Sequence, residues 1–250
     1  LILWGLGGGM ALIGALVYAE LGTHFRKTGG DYIFLSETLH PSIGYLYAWV
    51  SLAVGFSAPI AIAAMAMNKY LGPLFGESIL PGLFFLLAIP VAHAFSVSRS
   101  AFLQDFLTLI KIVFVLVLIG LGLGFSSTIE TSALDFSSSW QEEIILPGFA
   151  VSLIYVFYAY TGWNSAAYII EEVDEPRKNL PKALIWATFL VMAVYILLQL
   201  ILLKHASVAQ LSGQVQVADI AFGNLFGTKG ALWVSFFIAM QLIATISGYA

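Results

Sequence analysis

One lysine stands inside an apolar stretch where charged residues are otherwise absent. Lys111 is the only Asp, Glu, Lys or Arg between Phe106 and Ile129, and it lies well inside the helix that begins near Phe102. A lysine a turn or two from a helix end can extend its ammonium to a membrane interface. Inside a helix bundle, the ammonium could instead replace a bound cation or take up and release a proton.

A second candidate is the segment Tyr158-Ala-Tyr-Thr-Gly-Trp-Asn-Ser-Ala166, inside another apolar stretch. It is centred about fourteen residues after Pro147, near the middle of a membrane at about 1.5 Å per residue. Gly, Asn and Thr weaken a helix there, because they add backbone freedom or compete for its hydrogen bonds. The segment is either a tight helix–helix contact or an unwound stretch whose carbonyls face a cavity.

Two other groups have structural interpretations. His93 lies near a helix end, where we expect a packed or interfacial side chain. The carboxylates of residues 171–175 could hold a metal ion. Because Arg177 and Lys178 follow them and Pro181 restarts a helix, a salt-bridged hinge is expected instead. The sequence therefore predicts no metal site and no cofactor.

The elements that must position these residues are apolar helices. Of the 250 residues, 60% are hydrophobic and 10% are charged, which excludes a water-soluble enzyme. Ten Lys and Arg against fourteen Asp and Glu give a net charge of −4, which leaves no basic surface for nucleic acid. Cysteine is absent, so no disulfide framework is expected. What remains is an integral membrane protein.

Seven stretches are long and apolar enough to cross a bilayer as helices. They are apolar on all sides, whereas the strands of a membrane barrel alternate in polarity. We predict an all-α, single transmembrane domain over residues 1–250, truncated at both ends because each end lies within an apolar run. The predicted spans are about 1–21, 42–70, 79–98, 102–125, 147–171, 182–203 and 230–250.

The basic residues of the connections predict the orientation, because Lys and Arg accumulate on the cytoplasmic side. The first helix then runs inward and the following ones alternate. The predicted cytoplasmic set is Arg26, Lys27, Arg99, Arg177, Lys178 and Lys182, and the predicted outer set is Lys69, Lys204 and Lys229.

Several motifs along the chain form a familiar set. They are Gly14-Ala-Leu-Val-Tyr-Ala-Glu-Leu-Gly22, Lys27-Thr-Gly-Gly-Asp-Tyr32, Gln104-Asp-Phe106 with Lys111, the segment 158–166, and Glu171-Glu172 with Asn179-Leu-Pro-Lys-Ala183. Together they resemble motifs of amino acid permeases of the amino acid–polyamine–organocation (APC) superfamily. The resemblance covers the whole chain as family helices two to eight, and it is most like the L-type amino acid transporter and serine/threonine exchanger branch.

The resemblance implies an incomplete form of a five-plus-five inverted-repeat transporter fold, with a substrate held between broken helices one and six. The substrate's ammonium would meet backbone carbonyls of the break, the side chain of Tyr158 would act as an aromatic gate, and Gly162 would permit the break. Family helix one, which would hold the substrate carboxylate, is not in this sequence. The implied substrate-binding residues are Tyr158, Ala159, Thr161, Gly162, Trp163 and Asn164.

The resemblance also assigns an ion- or proton-coupling role. Lys111 falls where similar transporters place a lysine in the position of a sodium ion, and Thr245 and Ser247 are implied contacts of the lysine or the substrate.

The function that the sequence predicts is secondary active transport of neutral amino acids across the plasma membrane, by sodium-independent exchange or proton symport. The alternative is a permease-like amino acid sensor or complex subunit that does not transport. An intramembrane enzyme would need paired acid–base groups within the spans, which are not apparent. The expected partners are the amino acid and the lipid bilayer, with no nucleic acid and no disulfide-linked accessory chain.

Overall fold

The computed structural model describes residues 1–95, 97–126 and 144–249, and these are helical with no β-strand among them. The all-α prediction is confirmed. The α-helices are α1 (Ile2–Phe25), α2 (Asp31–Thr38), α3 (Pro41–Val50), α4 (Ser57–Phe75), α5 (Leu80–Phe95), α6 (Val97–Gly124), α7 (Pro147–Ala159), α8 (Pro176–His205), α9 (Val208–Leu211) and α10 (Val217–Tyr249), joined by a π-helical turn at Ser51–Phe56 and a 3₁₀ segment at Trp163–Glu172.

Five helical stretches in the described part of the chain are long and apolar enough to cross a membrane. Helix α5 is apolar but shorter, and the predicted span 147–171 is an α-helix only as far as Ala159. The five stretches are Ile2–Phe25, Pro41–Phe75, Gln104–Gly124, Pro176–His205 and Val217–Tyr249.

The chain folds as two compact units, each built from two separate segments. The first consists of Leu1–Val50 and Phe136–Gln199, and it contains α1–α3, α7, the 3₁₀ segment and most of α8. The second consists of Ser51–Asp135 and Leu200–Ala250, and it contains α4–α6, the end of α8, α9 and α10.

Small residues on one face of α1 organise the first unit. They recur at helical spacing and are buried, so that neighbouring helices approach the α1 backbone closely. The close approach that the glycines of this segment predict is present at Gly7, Gly8 and Gly14, whereas Gly5 and Gly9 face open space. The buried small residues are Gly7, Gly8, Ala11, Ala15, Ala19 and Gly22.

The core of the second unit lies mainly between α4 and α10. Met67 is fully buried there, and Ala239 and Ile246 of α10 pack in the same cluster. Pro59, the third residue of α4, has no N–H to donate to the carbonyl of residue 55. The π-helical turn Ser51–Phe56 lies directly before α4.

The end of α6 is held by the end of α8. The carbonyls in the last turn of a helix have no partner within that helix. Here the Lys204 ammonium donates to the carbonyls of Gly122, Leu123 and Phe125 at 3.1, 3.1 and 2.7 Å. His205 Nε2 lies 2.8 Å from the Gly122 carbonyl oxygen. Both side chains thereby cap α6.

Candidate functional site

The segment that the sequence singles out is a broken helix. Helix α7 ends at Ala159, and the 3₁₀ segment begins at Trp163. Between them Gly162 has φ 107° and ψ −13°, a left-handed conformation that a residue without Cβ adopts without strain. The helix therefore breaks at the glycine, as the unwound interpretation of this segment requires.

Two carbonyls at the break already accept hydrogen bonds from this chain. The Tyr158 carbonyl accepts from the Thr161 hydroxyl at 2.7 Å and from the Thr161 N–H at 3.1 Å. The Ala159 carbonyl accepts from the Tyr195 hydroxyl of α8 at 3.0 Å. These partners fix the direction in which both carbonyls point. Ala159, which accepts one of these bonds, keeps a second lone pair for a ligand.

A cavity of about 310 Å³ lies beside the break within the first unit. Residues 159–163 form one wall, and Ala187, Thr188, Val191 and Tyr195 of α8 form the other. Tyr158 is 52% exposed. The lining is mainly apolar with a few hydroxyl and backbone groups, a composition that is typical of small-molecule pockets.

Aromatic side chains stabilise the walls of the break. Tyr160 is buried, and its hydroxyl donates to the Trp4 carbonyl at 2.9 Å. The rings of Trp4, Tyr160 and Tyr195 meet edge to face, with centroids 5.1–6.0 Å apart. Trp163 meets Tyr18 edge to face with ring centroids 4.8 Å apart, and its buried indole N–H has no acceptor among the described residues.

Asn164 leads to a residue that the sequence analysis did not select. Its side-chain Nδ2 lies 3.3 Å from Oδ2 of Asp31, a carboxylate that is only 4% exposed. Asp31 also accepts hydrogen bonds from the hydroxyls of Tyr18, Tyr47 and Tyr168, the last two at 2.5 and 2.9 Å. Asp31 is therefore the centre of a polar cluster that includes one expected site residue.

The sequence contained a signal for this cluster. Gly29 and Gly30 precede Asp31, and both have positive φ, 132° and 52°. A Cβ on Gly30 would lie 2.8 Å from the Tyr168 ring. The glycine pair thus lets the chain turn at the end of α1 and bring the carboxylate against the 3₁₀ segment. In the sequence the pair indicates a family motif, and its composition alone does not predict that the acid following it is buried.

The residues expected to serve ion coupling lie in the second unit. The Lys111 ammonium is 3.4 Å from the Thr245 hydroxyl, so the structure brings these two together. Ser247 is buried, and its hydroxyl lies 3.0 Å from His93 Nε2. His93 is thus packed against a polar group. The second unit therefore holds two polar contacts of basic side chains with α10.

A second acidic residue lies between the predicted spans 182–203 and 230–250, where the sequence predicts a connection. Asp219 is in the first turn of α10, which reaches back to Val217 and is interrupted at Gly227 (φ 70°). Its carboxylate accepts from the Ser235 hydroxyl and from Gln216 Nε2, the latter at 3.1 Å. The bond from Ser235 holds the first part of α10 against the second, and the bond from Gln216 is local to the start of the helix.

The carboxylates that follow the 3₁₀ segment form local contacts. Lys178 pairs with Glu175 at 3.2 Å, and Asn179 Nδ2 donates to the Asp174 carbonyl at 2.6 Å. Within residues 1–95, 97–126 and 144–249, no group of three or more His, Asp or Glu is placed to hold a metal ion. The ion pair agrees with the hinge interpretation.

Comparison with known proteins gives consistent results. A family model described as "Amino acid permease" matches residues 1–249. The b(0,+)-type amino acid transporter 1 of Mus musculus is 31% identical over 99% of this chain and 52% of its own length. The human cystine/glutamate transporter is 29% identical over 99% of the chain and 51% of its own length. The human Asc-type amino acid transporter 1 is 28% identical over 100% of the chain and 49% of its own length. The chain spans about half the length of these relatives.

Proposed function

The chain belongs to the amino acid permease family, and on that premise we propose that the protein carries amino acids across the membrane by alternating access. The three relatives named above are called transporters of amino acids, and none is named as an enzyme. The observation that carries the proposal is the break between Ala159 and Trp163, because discontinuous helices at mid-membrane form the substrate sites of many transporters.

The substrate's ammonium would bind at the break. Backbone carbonyls of Tyr158, Ala159 and Thr161 provide acceptors there, and Thr161 and Tyr195 already orient two of them. Of the two oriented carbonyls, that of Tyr158 already accepts two bonds from Thr161, whereas that of Ala159 keeps a lone pair for the ligand. A carbonyl that is held in a fixed direction loses little entropy when a ligand binds. Tyr158, exposed beside the break, would close over the ligand, and Trp163 and Asn164 would line it.

The preferred substrates would be neutral amino acids. A cationic side chain would need a carboxylate, and the buried carboxylate near this segment is Asp31. Both Asp31 oxygens already accept hydrogen bonds from this chain, one from Tyr18 and the other from Tyr47, Asn164 and Tyr168. Asp31 is therefore poorly placed to pair with a substrate cation.

Transport would not use sodium. The Lys111 ammonium donates to Thr245 at 3.4 Å, and a fixed positive charge there would repel a sodium ion. Exchange or proton symport would then drive uptake.

The test is uptake into proteoliposomes that contain the full-length protein. Radiolabelled leucine and serine would be compared with arginine and glutamate, in sodium and in potassium media, with and without amino acid inside. We expect uptake of the neutral pair, equal in both media. Stimulation by internal amino acid indicates exchange, and stimulation by an inward proton gradient indicates symport. Sodium-dependent uptake contradicts the coupling proposal, and binding without flux supports a sensor instead.

Lys111→Ala should reduce uptake at least about ten-fold, since a hydrogen bond to a charged group contributes about 1.5–3 kcal/mol. The matched control is Lys229→Ala, which removes an exposed lysine from α10 of the same unit and should leave uptake unchanged. Normal uptake by Lys111→Ala would remove the role assigned to this lysine.

A further inference from the structure

The Asp31 cluster joins four elements of the first unit through one carboxylate. Tyr18 belongs to α1, Asp31 begins α2, and Tyr47 belongs to α3. Asn164 and Tyr168 belong to the 3₁₀ segment, the second half of the broken helix. Four donors reach the carboxylate, and two of them come from this half.

The donors around Asp31 carry no positive charge. A carboxylate accepts hydrogen bonds and cannot donate them, so hydroxyl and amide groups must replace the water that burial removes. Bonds to an ionised acceptor are about twice as strong as bonds between neutral groups. Withdrawal of Asn164 and Tyr168 would leave the buried charge with half of its donors, which is costly. The position of the 3₁₀ segment is therefore tied to Asp31.

We propose that Asp31 is a latch: it holds the second half of the broken helix against α1–α3, and movement of that half requires these bonds to break. In a transporter that alternates between two states, such a contact stabilises the state that contains it. Asp31 is thus a positioning residue for the break and regulates its opening.

The latch also orients Asn164 toward the proposed substrate site, and this part rests on the proposed function. Because the acceptor is a carboxylate, the amide must present Nδ2 to Asp31. The amide oxygen then points away from Asp31, where it can accept a hydrogen bond from an ammonium group. Loss of Asp31 would leave the amide without a fixed orientation.

The experiment measures how often the 3₁₀ segment leaves its place. The 250 residues contain no cysteine, so Ala167→Cys introduces the one thiol within them, at a fully buried position of that segment. Any cysteine outside these residues is replaced by Ser. In the full-length protein, its reaction with N-ethylmaleimide reports the open population when opening and closing are fast. Asp31→Asn should accelerate the reaction at least about ten-fold, the change expected for loss of a hydrogen bond to a charged group.

A second reporter and a second carboxylate serve as controls. Ala239→Cys places a thiol at a buried position of the other unit, and Asp31→Asn should leave its reaction rate unchanged. Faster reaction at both reporters would show general loss of stability and would overturn the latch. Asp174→Asn removes an exposed carboxylate just after the 3₁₀ segment and should change neither rate.

Tyr168→Phe provides a milder variant in case Asp31→Asn does not fold. It removes one donor hydroxyl of the 3₁₀ segment and should accelerate the Ala167→Cys reaction to a smaller extent. Rates within two-fold of the parent for both variants would overturn the proposal. Because labelling needs no substrate, this outcome differs from failure of the transport assay, which would refute the proposed function and leave the latch standing.

Discussion

Gly14 shows how a single missing side chain sets the geometry around the break. A Cβ at this position would lie 2.7 and 2.8 Å from two ring carbons of Trp163. The indole also meets the ring of Tyr18 edge to face, one helical turn further along α1, so it has no room to withdraw in that direction. The glycine therefore allows Trp163 to lie against the α1 backbone.

Gly14→Ala should destabilise the protein by about 1–3 kcal/mol, the usual cost of overpacking a close contact. Gly9→Ala, on the same helix, is the matched control, because a Cβ at Gly9 meets no atom within 4 Å. In detergent we expect a lower melting temperature for Gly14→Ala. For Gly9→Ala we expect an unchanged or slightly higher melting temperature, since Ala has a higher helix propensity than Gly. Equal melting temperatures would show that Trp163 moves aside without cost.

Residue type and context predicted some contacts and missed others for a physical reason. The sequence indicates Lys111 as a functional candidate, because an isolated charge in an apolar run costs free energy in a membrane whatever its side-chain direction. Asp31 did not stand out, because in the sequence it follows two glycines in a polar connection. Its burial depends on Tyr47 and Tyr168, which are distant in sequence and reach it only in the folded unit.

At the scale of the element, the break in the α7 region depends on the backbone of Gly162. A Cβ there would meet nothing within 4 Å, so space does not restrict this position. The φ of 107° restricts the position instead, because L-residues with a side chain rarely adopt this conformation. The composition of the segment predicted a weak helix at this point, but it left a packed contact and an unwound stretch equally open.

Gly162→Ala should reshape the break and lower uptake at least about five-fold, since a residue held in such a conformation costs of order 1–3 kcal/mol. Gly148→Ala is the control: it lies in α7, a Cβ there has open space, and it has no positive φ. Uptake and expression would be measured for both variants in proteoliposomes. Full uptake by Gly162→Ala would show that the break does not need the left-handed conformation.

Element boundaries were harder to predict than the apolar runs themselves. The sequence placed a span from about residue 230, whereas helix α10 begins at Val217 and bends at Gly227. The first part of α10 is stabilised by Ala221 and Phe222, which are buried. Burial by a neighbour decides whether a moderately apolar segment is helical, and sequence periodicity alone does not reveal that neighbour.

At the scale of the whole molecule, the apolar surface identifies the environment. Large apolar side chains remain exposed along the helices, for example Ile13 at 64%, Leu116 at 55% and Trp233 at 65%. A protein in water covers such residues, whereas lipid is a suitable solvent for them. Together with its family and the five long apolar helical stretches among the described residues, this surface makes the chain a multi-pass membrane protein.

The distribution of basic residues predicts the orientation of the chain in the membrane. If six basic residues mark the cytoplasmic side, then the connection after α4 faces outward and the connection after the 3₁₀ segment faces inward. Glu77→Cys places one thiol in the first connection, and Glu172→Cys places one at the last residue of the 3₁₀ segment, next to the second connection. Both positions are exposed carboxylates, no Lys or Arg is altered, and any cysteine outside the 250 residues is replaced by Ser. In intact cells, a membrane-impermeant maleimide should label the protein at position 77 and should reach position 172 only after the membrane is permeabilised. The reverse pattern would invert the topology and would place the Asp31 cluster, which follows the cytoplasmic pair Arg26 and Lys27, on the outer side of the membrane.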